Sequence, residues 1–121
     1  MLIPTLTVRD MREAIAFHTE VLDFKIAARL PEADPFYLVL IGGPDELHLS
    51  LRSGGIPQGP ATAILVCSDI DALLATYRAR GLAIPTRPDS PVHAEPIDQS
   101  WGTREFYIDD PSGNTLILQQ R

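Results

Sequence analysis

A strand–helix–three-strand pattern runs along this chain twice, with a repeat of roughly 60 residues, and few architectures accept such a duplication. In the first copy Ile3 to Val8 is short, apolar and β-prone. Pro4 cannot donate to a ladder, so this segment is expected as an edge strand or an exchanging arm. Asp10 and Glu13 stand in capping-box relation at a helix start. Ala14, Phe17 and Val21, with Ile15 and Leu22, then follow helical spacing, and the helix should stop near Asp23. Strands are expected over Lys25 to Leu30, Phe36 to Ile41 and Glu46 to Arg52. The last alternates, with Leu47, Leu49 and Leu51 on one face and Glu46, His48 and Ser50 on the other. Gly42 to Asp45 reads as the turn before it, and Ser53 to Pro60 as a linker.

The second copy opens on a strand over Ala61 to Cys67. Ser68 and Asp71 suggest another capping box, and Ile70, Leu73, Leu74 and Tyr77 form an apolar stripe. Gly81 suits the helix end, where a left-handed residue is wanted. Leu82 to Ile84 reads as a short strand and Pro85 to Ser100 as a Pro-rich loop. Thr103 to Asp109 and Asn114 to Gln120 close the copy as strands, joined through a type I turn at Asp110-Pro111-Ser112-Gly113. The expectation is one domain over residues 1–121, built from modules at 1–55 and 60–121. A half of this size cannot cover its own sheet, so the halves should pack on each other or on a second chain.

Composition narrows the function. The 121 residues are 45% hydrophobic and 21% charged, an ordinary globular balance. Ten Lys and Arg against sixteen Asp and Glu give a formal charge of −6. That disfavours a nucleic-acid partner, which needs a positive field, and favours cationic ligands. Cys67 is the only cysteine, so no disulfide can form within the chain. No basic region precedes an apolar run at Met1 to Thr5, and no apolar stretch reaches the ~18 residues of a membrane helix. A cytoplasmic protein without a membrane partner is expected.

The duplicated module resembles the vicinal oxygen chelate superfamily, which groups glyoxalase I, extradiol dioxygenases and the fosfomycin- and bleomycin-resistance proteins. The resemblance rests on Leu6-Thr7-Val8-Arg9-Asp10 running into a helix with Ala14 and Phe17, then Leu22-Asp23-Phe24. It rests equally on Phe106-Tyr107-Ile108-Asp109-Asp110-Pro111-Ser112-Gly113-Asn114. Ser100-Trp101-Gly102-Thr103-Arg104-Glu105-Phe106 is similar to the bleomycin-resistance branch. The implied fold is α+β, two βαβββ modules forming an incomplete cupped β-barrel, as a homodimer. That branch holds no metal, binds its drug in grooves between two subunits, and sends an N-terminal arm to its partner past a proline. Pro4 lies where that proline would.

Enzymes of the superfamily hold a metal on four inward side chains. The resemblance places those positions at Ile3, His48, Thr62 and Ile117, of which only His48 is a ligand type. A catalytic metal needs about three protein ligands, so no cofactor is expected. The alternative is a displaced set in which Glu46, Glu105 and Gln119 join His48 by strand parity.

The remaining candidates are ligand contacts. Trp101 is either a stacking plate for a flat or cationic group or a loop anchor. Glu105 and Tyr107, out of phase with Phe106 and Ile108, should face the cup. Glu105 would pair a cation there, or else bridge Arg104. One of Phe36 and Tyr37 should reach the cleft. His48, Thr62, Ile117 and Gln119 complete the expected lining. His18 reads as a surface or boundary residue, His93 as a lid residue, and Cys67 as a small buried residue. No phosphate loop or nucleophile elbow is present. The expected function is sequestration of a small hydrophobic or cationic molecule. A metal-dependent lyase, isomerase or dioxygenase is the runner-up, and a non-catalytic regulator or immunity protein a third class.

Overall fold

The computed structural model describes residues 1–52, 60–85 and 87–121. Ser53 to Gly59 of the expected linker, with the expected module end at residue 55, lie outside the described residues, as does Thr86 in the Pro-rich loop. The chain forms two compact units. Met1–Ala61 with Asp110–Asn114 make the first, and Thr62–Asp109 with Thr115–Arg121 the second.

In the first unit β1 (Thr5–Val8) leads to α1 (Met11–Ala16), which continues as a π-helical turn (Phe17–Val21). Three strands follow, β2 (Lys25–Leu30), β3 (Tyr37–Gly42) and β4 (Asp45–Leu51), in the sheet order β1-β4-β3-β2. Only β1 is parallel to its neighbour; it lies at the sheet edge and begins after Pro4, so Ile3 and Pro4 fall outside the expected strand. The Pro4 carbonyl still accepts from the His48 amide. Register puts Leu6, Leu49 and Leu38 in one row and Leu47 beside Leu40, all buried on one face. Met11, Ala14, His18 and Leu22 add the helical side of this core.

The capping box at α1 is half formed. Asp10 accepts from the Glu13 amide at 3.0 Å, while the Glu13 carboxylate takes Arg9 at 2.6 Å instead of reaching back. The π-helical turn corrects the expected helix stripe. A turn closed by the Leu22 amide on the Phe17 carbonyl holds more residues than an α-turn. The buried positions therefore step by four through Ala14, His18 and Leu22, and Phe17 and Val21 are only half-buried. His18, expected near the surface, is fully buried. Asp23 stops the turn in the left-handed region, φ 64°. Gly42 is required by its neighbour, since a Cβ there would lie 2.7 Å from Cε1 of the Phe24 ring.

The second unit repeats the order. β5 (Thr62–Cys67), α2 (Ile70–Ala79), β6 (Ile97–Asp98), β7 (Arg104–Asp109) and β8 (Thr115–Gln120) form a sheet ordered β5-β8-β7-β6. Each unit is thus a βαβββ module with a four-stranded mixed sheet. α2 lies on β7 and β8, burying Ile70, Leu74 and Tyr77 with Phe106, Ile108, Leu116 and Leu118. Gly81 takes φ 99° at the helix end, as expected.

Two expectations fail here. The cap of α2 is Asp69, accepting from the Ala72 amide at 3.0 Å, and not Ser68. Asp71 turns away to receive two bonds of 3.0 Å from Arg104. Leu82 to Ile84 are not a strand. Ile97 and Asp98, inside the expected loop, pair with Glu105 and Arg104 at that sheet edge.

The Asp110–Asn114 turn belongs to the first unit. The Gly113 amide bonds the Asp110 carbonyl at 3.1 Å, closing the expected turn. Asn114, fully buried, gives its amide to the Thr7 carbonyl at 2.8 Å and to Asp110 at 2.9 Å, and accepts from the Ala61 amide at 2.9 Å. Asn114→Ala would strand all three partners and should cost about 2–4 kcal/mol in urea denaturation. A loss below about 1 kcal/mol would show that water replaces the side chain.

His18 donates Nδ1–H to the Ala14 carbonyl at 2.8 Å, and its Nε2 has no hydrogen-bond partner among the described residues. Burial holds its pKa below the ordinary value of 6.5, against the opposing pull of that bond and of the Asp110 charge. His18 is therefore neutral when folded, and the unfolded chain binds the extra proton. Stability should be unaffected well above pH 6.5, then fall as pH drops from there toward the lowered folded value. The slope should approach ~1.4 kcal/mol per pH unit. Denaturation curves across this window should flatten in His18→Leu.

Candidate functional site

Strand parity decides which side chains leave the core. On β4, Leu47 and Leu49 are buried, so Glu46 and His48 take the other face. On β3 the same parity puts Tyr37 on the face of Glu46 and His48. Tyr37 lies 2.6 Å from His48 Nδ1, and His48 Nε2 lies 2.7 Å from Glu46 Oε1. The Tyr37 and His48 rings stand edge to face, centroids 5.4 Å apart. Phe36, one residue out of phase, is 60% exposed and outside this chain of bonds. Ile3 precedes β1 and is partly exposed.

The second unit carries its own polar face. Register aligns Thr62, Ile64 and Val66 of β5 with Thr115, Ile117 and Gln119 of β8, then Asp109, Tyr107 and Glu105 of β7. Glu105 is 3% exposed. Its Oε1 accepts from Gln119 Nε2 at 2.8 Å, Thr103 Oγ1 at 3.0 Å and Trp101 Nε1 at 3.4 Å. The Tyr107 hydroxyl reaches Oε2 at 3.5 Å, at the limit of a hydrogen bond. Burial pushes the Glu105 carboxyl upward, but the bonds from Gln119, Thr103, Trp101 and Tyr107 outweigh it and hold the carboxyl below its ordinary range. Tyr107 moves up, through burial first and then the Glu105 charge. Glu105 is thus a fixed anion and Tyr107 a protonated phenol.

Glu105 does not bridge Arg104, which is held by Asp71 and by Asp98 at 3.2 Å. Thr62 is exposed at the start of β5, and Ile117 is half-buried between Ile64 and Tyr107. Gln119 also accepts from Arg121 at 2.7 Å. Trp101 is 65% exposed although its indole nitrogen is tied.

Some contributors were not read from the sequence. Thr103, the first residue of the expected strand Thr103 to Asp109, shares the parity of Glu105 and Tyr107, a signal the sequence carried. Ile64 and Val66, each 55% exposed, follow the parity of Thr62. His93 is buried, bonded to Ser90 at 2.7 Å and Asp109 at 3.3 Å, while Asp109 takes Arg87 at 2.6 Å. His93, Asp109 and Arg87 border a cavity of about 70 Å3 that Leu82 and Ile84 help to line. Cys67 is half-buried, and burial with the Asp69 charge raises its thiol pKa, which argues against a reactive thiolate.

Among the described residues no three His, Cys, Asp or Glu side chains gather as a metal-binding group. Of the four family positions, Ile3 and Ile117 have no donor atom and Thr62 has a neutral hydroxyl. His48 already uses both ring nitrogens, on Tyr37 and Glu46. The residues present do not fit the superfamily's metal. No helix among the described residues is long and apolar enough to cross a membrane.

No curated protein sequence matches the chain. Solved structures do. A bleomycin resistance determinant encoded on transposon Tn5 is 25% identical, with TM-score 0.78, covering 100% of this chain and 97% of that one. A bleomycin-binding protein complexed with bleomycin is 24% identical, TM-score 0.77, covering 100% and 98%. A lactoylglutathione lyase from Agrobacterium tumefaciens is 18% identical, TM-score 0.74, covering 99% and 92%. The family profile described as Glyoxalase/Bleomycin resistance protein/Dioxygenase superfamily matches residues 3–118. With that match spanning nearly its whole length, and with two βαβββ modules of the corresponding fold, the chain belongs to the glyoxalase/bleomycin resistance protein/dioxygenase superfamily.

Proposed function

We propose that this chain is a metal-free small-molecule binding protein that acts by sequestration, with its ligand in clefts at the interface of a homodimer. The observation that carries the reading is Trp101. Its indole N–H is committed to the buried Glu105 carboxylate while most of the ring faces water. An aromatic plate held in place by one edge loses little freedom when a flat or cationic group stacks on it.

Tyr107, Gln119, Ile117 and Thr62 share the face on which Glu105 lies, and supply hydroxyl, amide and apolar contacts for a ligand there. On the first unit's own face Tyr37 and His48, with Phe36 nearby in sequence, are the candidate ligand contacts. A charge of −6 draws cations. Kinship with bleomycin-binding and bleomycin-resistance proteins supports an antibiotic-like ligand of that kind. Exposed Met1, Leu2 and Ile3 ahead of Pro4, with Ile64 and Val66 on β5, are the apolar surface a second copy would cover.

Bleomycin is the first probe, titrated against the fluorescence of the single Trp101. Saturable quenching at one ligand per cleft, without product, is expected. Trp101→Ala should weaken binding by roughly 1–3 kcal/mol with the circular dichroism spectrum preserved. Unchanged affinity removes the stacking role. Deleting Met1 to Thr5 should weaken the dimer in sedimentation equilibrium, and undiminished association would show that the arm stays on its own subunit. Near-stoichiometric iron, nickel, zinc or manganese in protein purified without chelators would replace this reading with a metal-dependent lyase, isomerase or dioxygenase.

A further inference from the structure

With His48 neutral and Glu46 ionised, the Glu46–His48–Tyr37 chain has one direction, which follows from proton counting. An ionised carboxylate accepts and has no proton to give. The 2.7 Å bond from His48 to Glu46 Oε1 therefore places a hydrogen on Nε2. A neutral imidazole carries one N–H, so Nδ1 is a bare lone pair. The bond of 2.6 Å between Nδ1 and the Tyr37 oxygen must then use the phenolic hydrogen. Tyr37 has no second proton, and its oxygen keeps only lone pairs for anything arriving from outside.

The neighbours leave that arrangement in place. Ser50 stands across from Tyr37 by register, and Thr5 and Val39 across from His48, none of them charged. Lys25 shares the face opposite Ile41, but its ammonium is 3.0 Å from Asp23. Tyr37, His48 and Glu46 are all half-buried, which strengthens the bonds yet leaves an approach open.

We infer that Tyr37 is a specificity-determining acceptor on the first unit's face, with His48 and Glu46 as positioning residues, and that it selects ligands presenting an N–H donor such as a protonated amine, amidine or guanidine. The inference rests on the small-molecule binding reading, because it concerns which part of a ligand this face accepts. It goes beyond charge attraction, since a cation without N–H hydrogens is refused the same contact.

The test uses the full chain at about pH 8, above the ordinary imidazole range, so that the direction is defined. Nitrogen-15 spectra of the histidine side chains should show His48 with its proton on Nε2. In Glu46→Gln, whose amide can face the ring with either end, that single-tautomer pattern should be lost. The probes are benzamidinium and tetramethylbenzamidinium, cations of equal charge of which only the first has N–H groups. Benzamidinium should shift the Tyr37 and His48 resonances with roughly five- to tenfold the affinity of its methylated analogue. Tyr37→Phe should erase that margin, and any margin left measures bulk alone.

A His48 proton on Nδ1, an unchanged Glu46→Gln spectrum, equal affinities, or no perturbation of Tyr37 would each overturn the assignment. The two readings separate cleanly. Bleomycin quenching Trp101 without N–H discrimination at Tyr37 keeps sequestration and removes this acceptor role. Discrimination at Tyr37 without any bleomycin response does the reverse.

Discussion

The two-residue period of the central strands is the constraint on which the chemistry of this chain depends. On β4 it buries Leu47 and Leu49 and puts Glu46 and His48 on the opposite face, and on β7 it puts Phe106 and Ile108 on one face and Tyr107 with the buried Glu105 on the other. A slip of one residue would send Glu46 and His48 into the core and break the bonds that hold the buried Glu105 carboxylate, at a cost no local rearrangement offsets. The same period builds the hydrogen-bonded groups. Each joins a step of two along one strand, Glu46 to His48 or Glu105 to Tyr107, to a partner on the next strand, Tyr37 or Gln119. The two units share this construction and differ in what they hold at its centre, an imidazole in one and a carboxylate in the other.

Long alternating segments were legible in the amino-acid sequence for that reason. The six-residue strand Lys25–Leu30 falls where expected, and β4, β5, β7 and β8 lie within a residue of expectation. Short features were not legible, because two or three residues carry no period. Ile97–Asp98 took the sheet position that Leu82 to Ile84 were expected to hold. His18 was misplaced because nothing in the composition of Phe17 to Val21 announces a wider turn. Asp69 displaced Ser68 as a cap because Arg104, distant in sequence, claims Asp71. Which residues would face away from the core followed from parity. The bonds among them, such as Thr103 to Glu105, depend on where loops return and could not be counted off the chain.

His48, at one of the positions the resemblance gives to a metal, is bonded to Tyr37 and Glu46. An imidazole that donates from one nitrogen to a carboxylate and accepts from a phenol on the other has no lone pair left for a cation. The same fold is found in a lactoylglutathione lyase, and a fold alone does not fix the chemistry it carries. The acceptor role proposed for Tyr37 would act by hydrogen-bond direction, with little reorganisation because the donors and acceptors are already aligned.

The contact between Phe24 and Gly42 bears on how this sequence can drift. With the ring occupying the space of a side chain at position 42, even alanine there meets atoms that cannot yield without moving the ring. A substitution at 42 therefore becomes tolerable only after position 24 has shrunk. A smaller residue at 24 with glycine still at 42 leaves a void beneath a strand end. Both single steps are downhill in stability and the paired change is not, so across descendants of this chain the two positions should evolve as a linked pair, with the order of events set by which defect the lineage survives better.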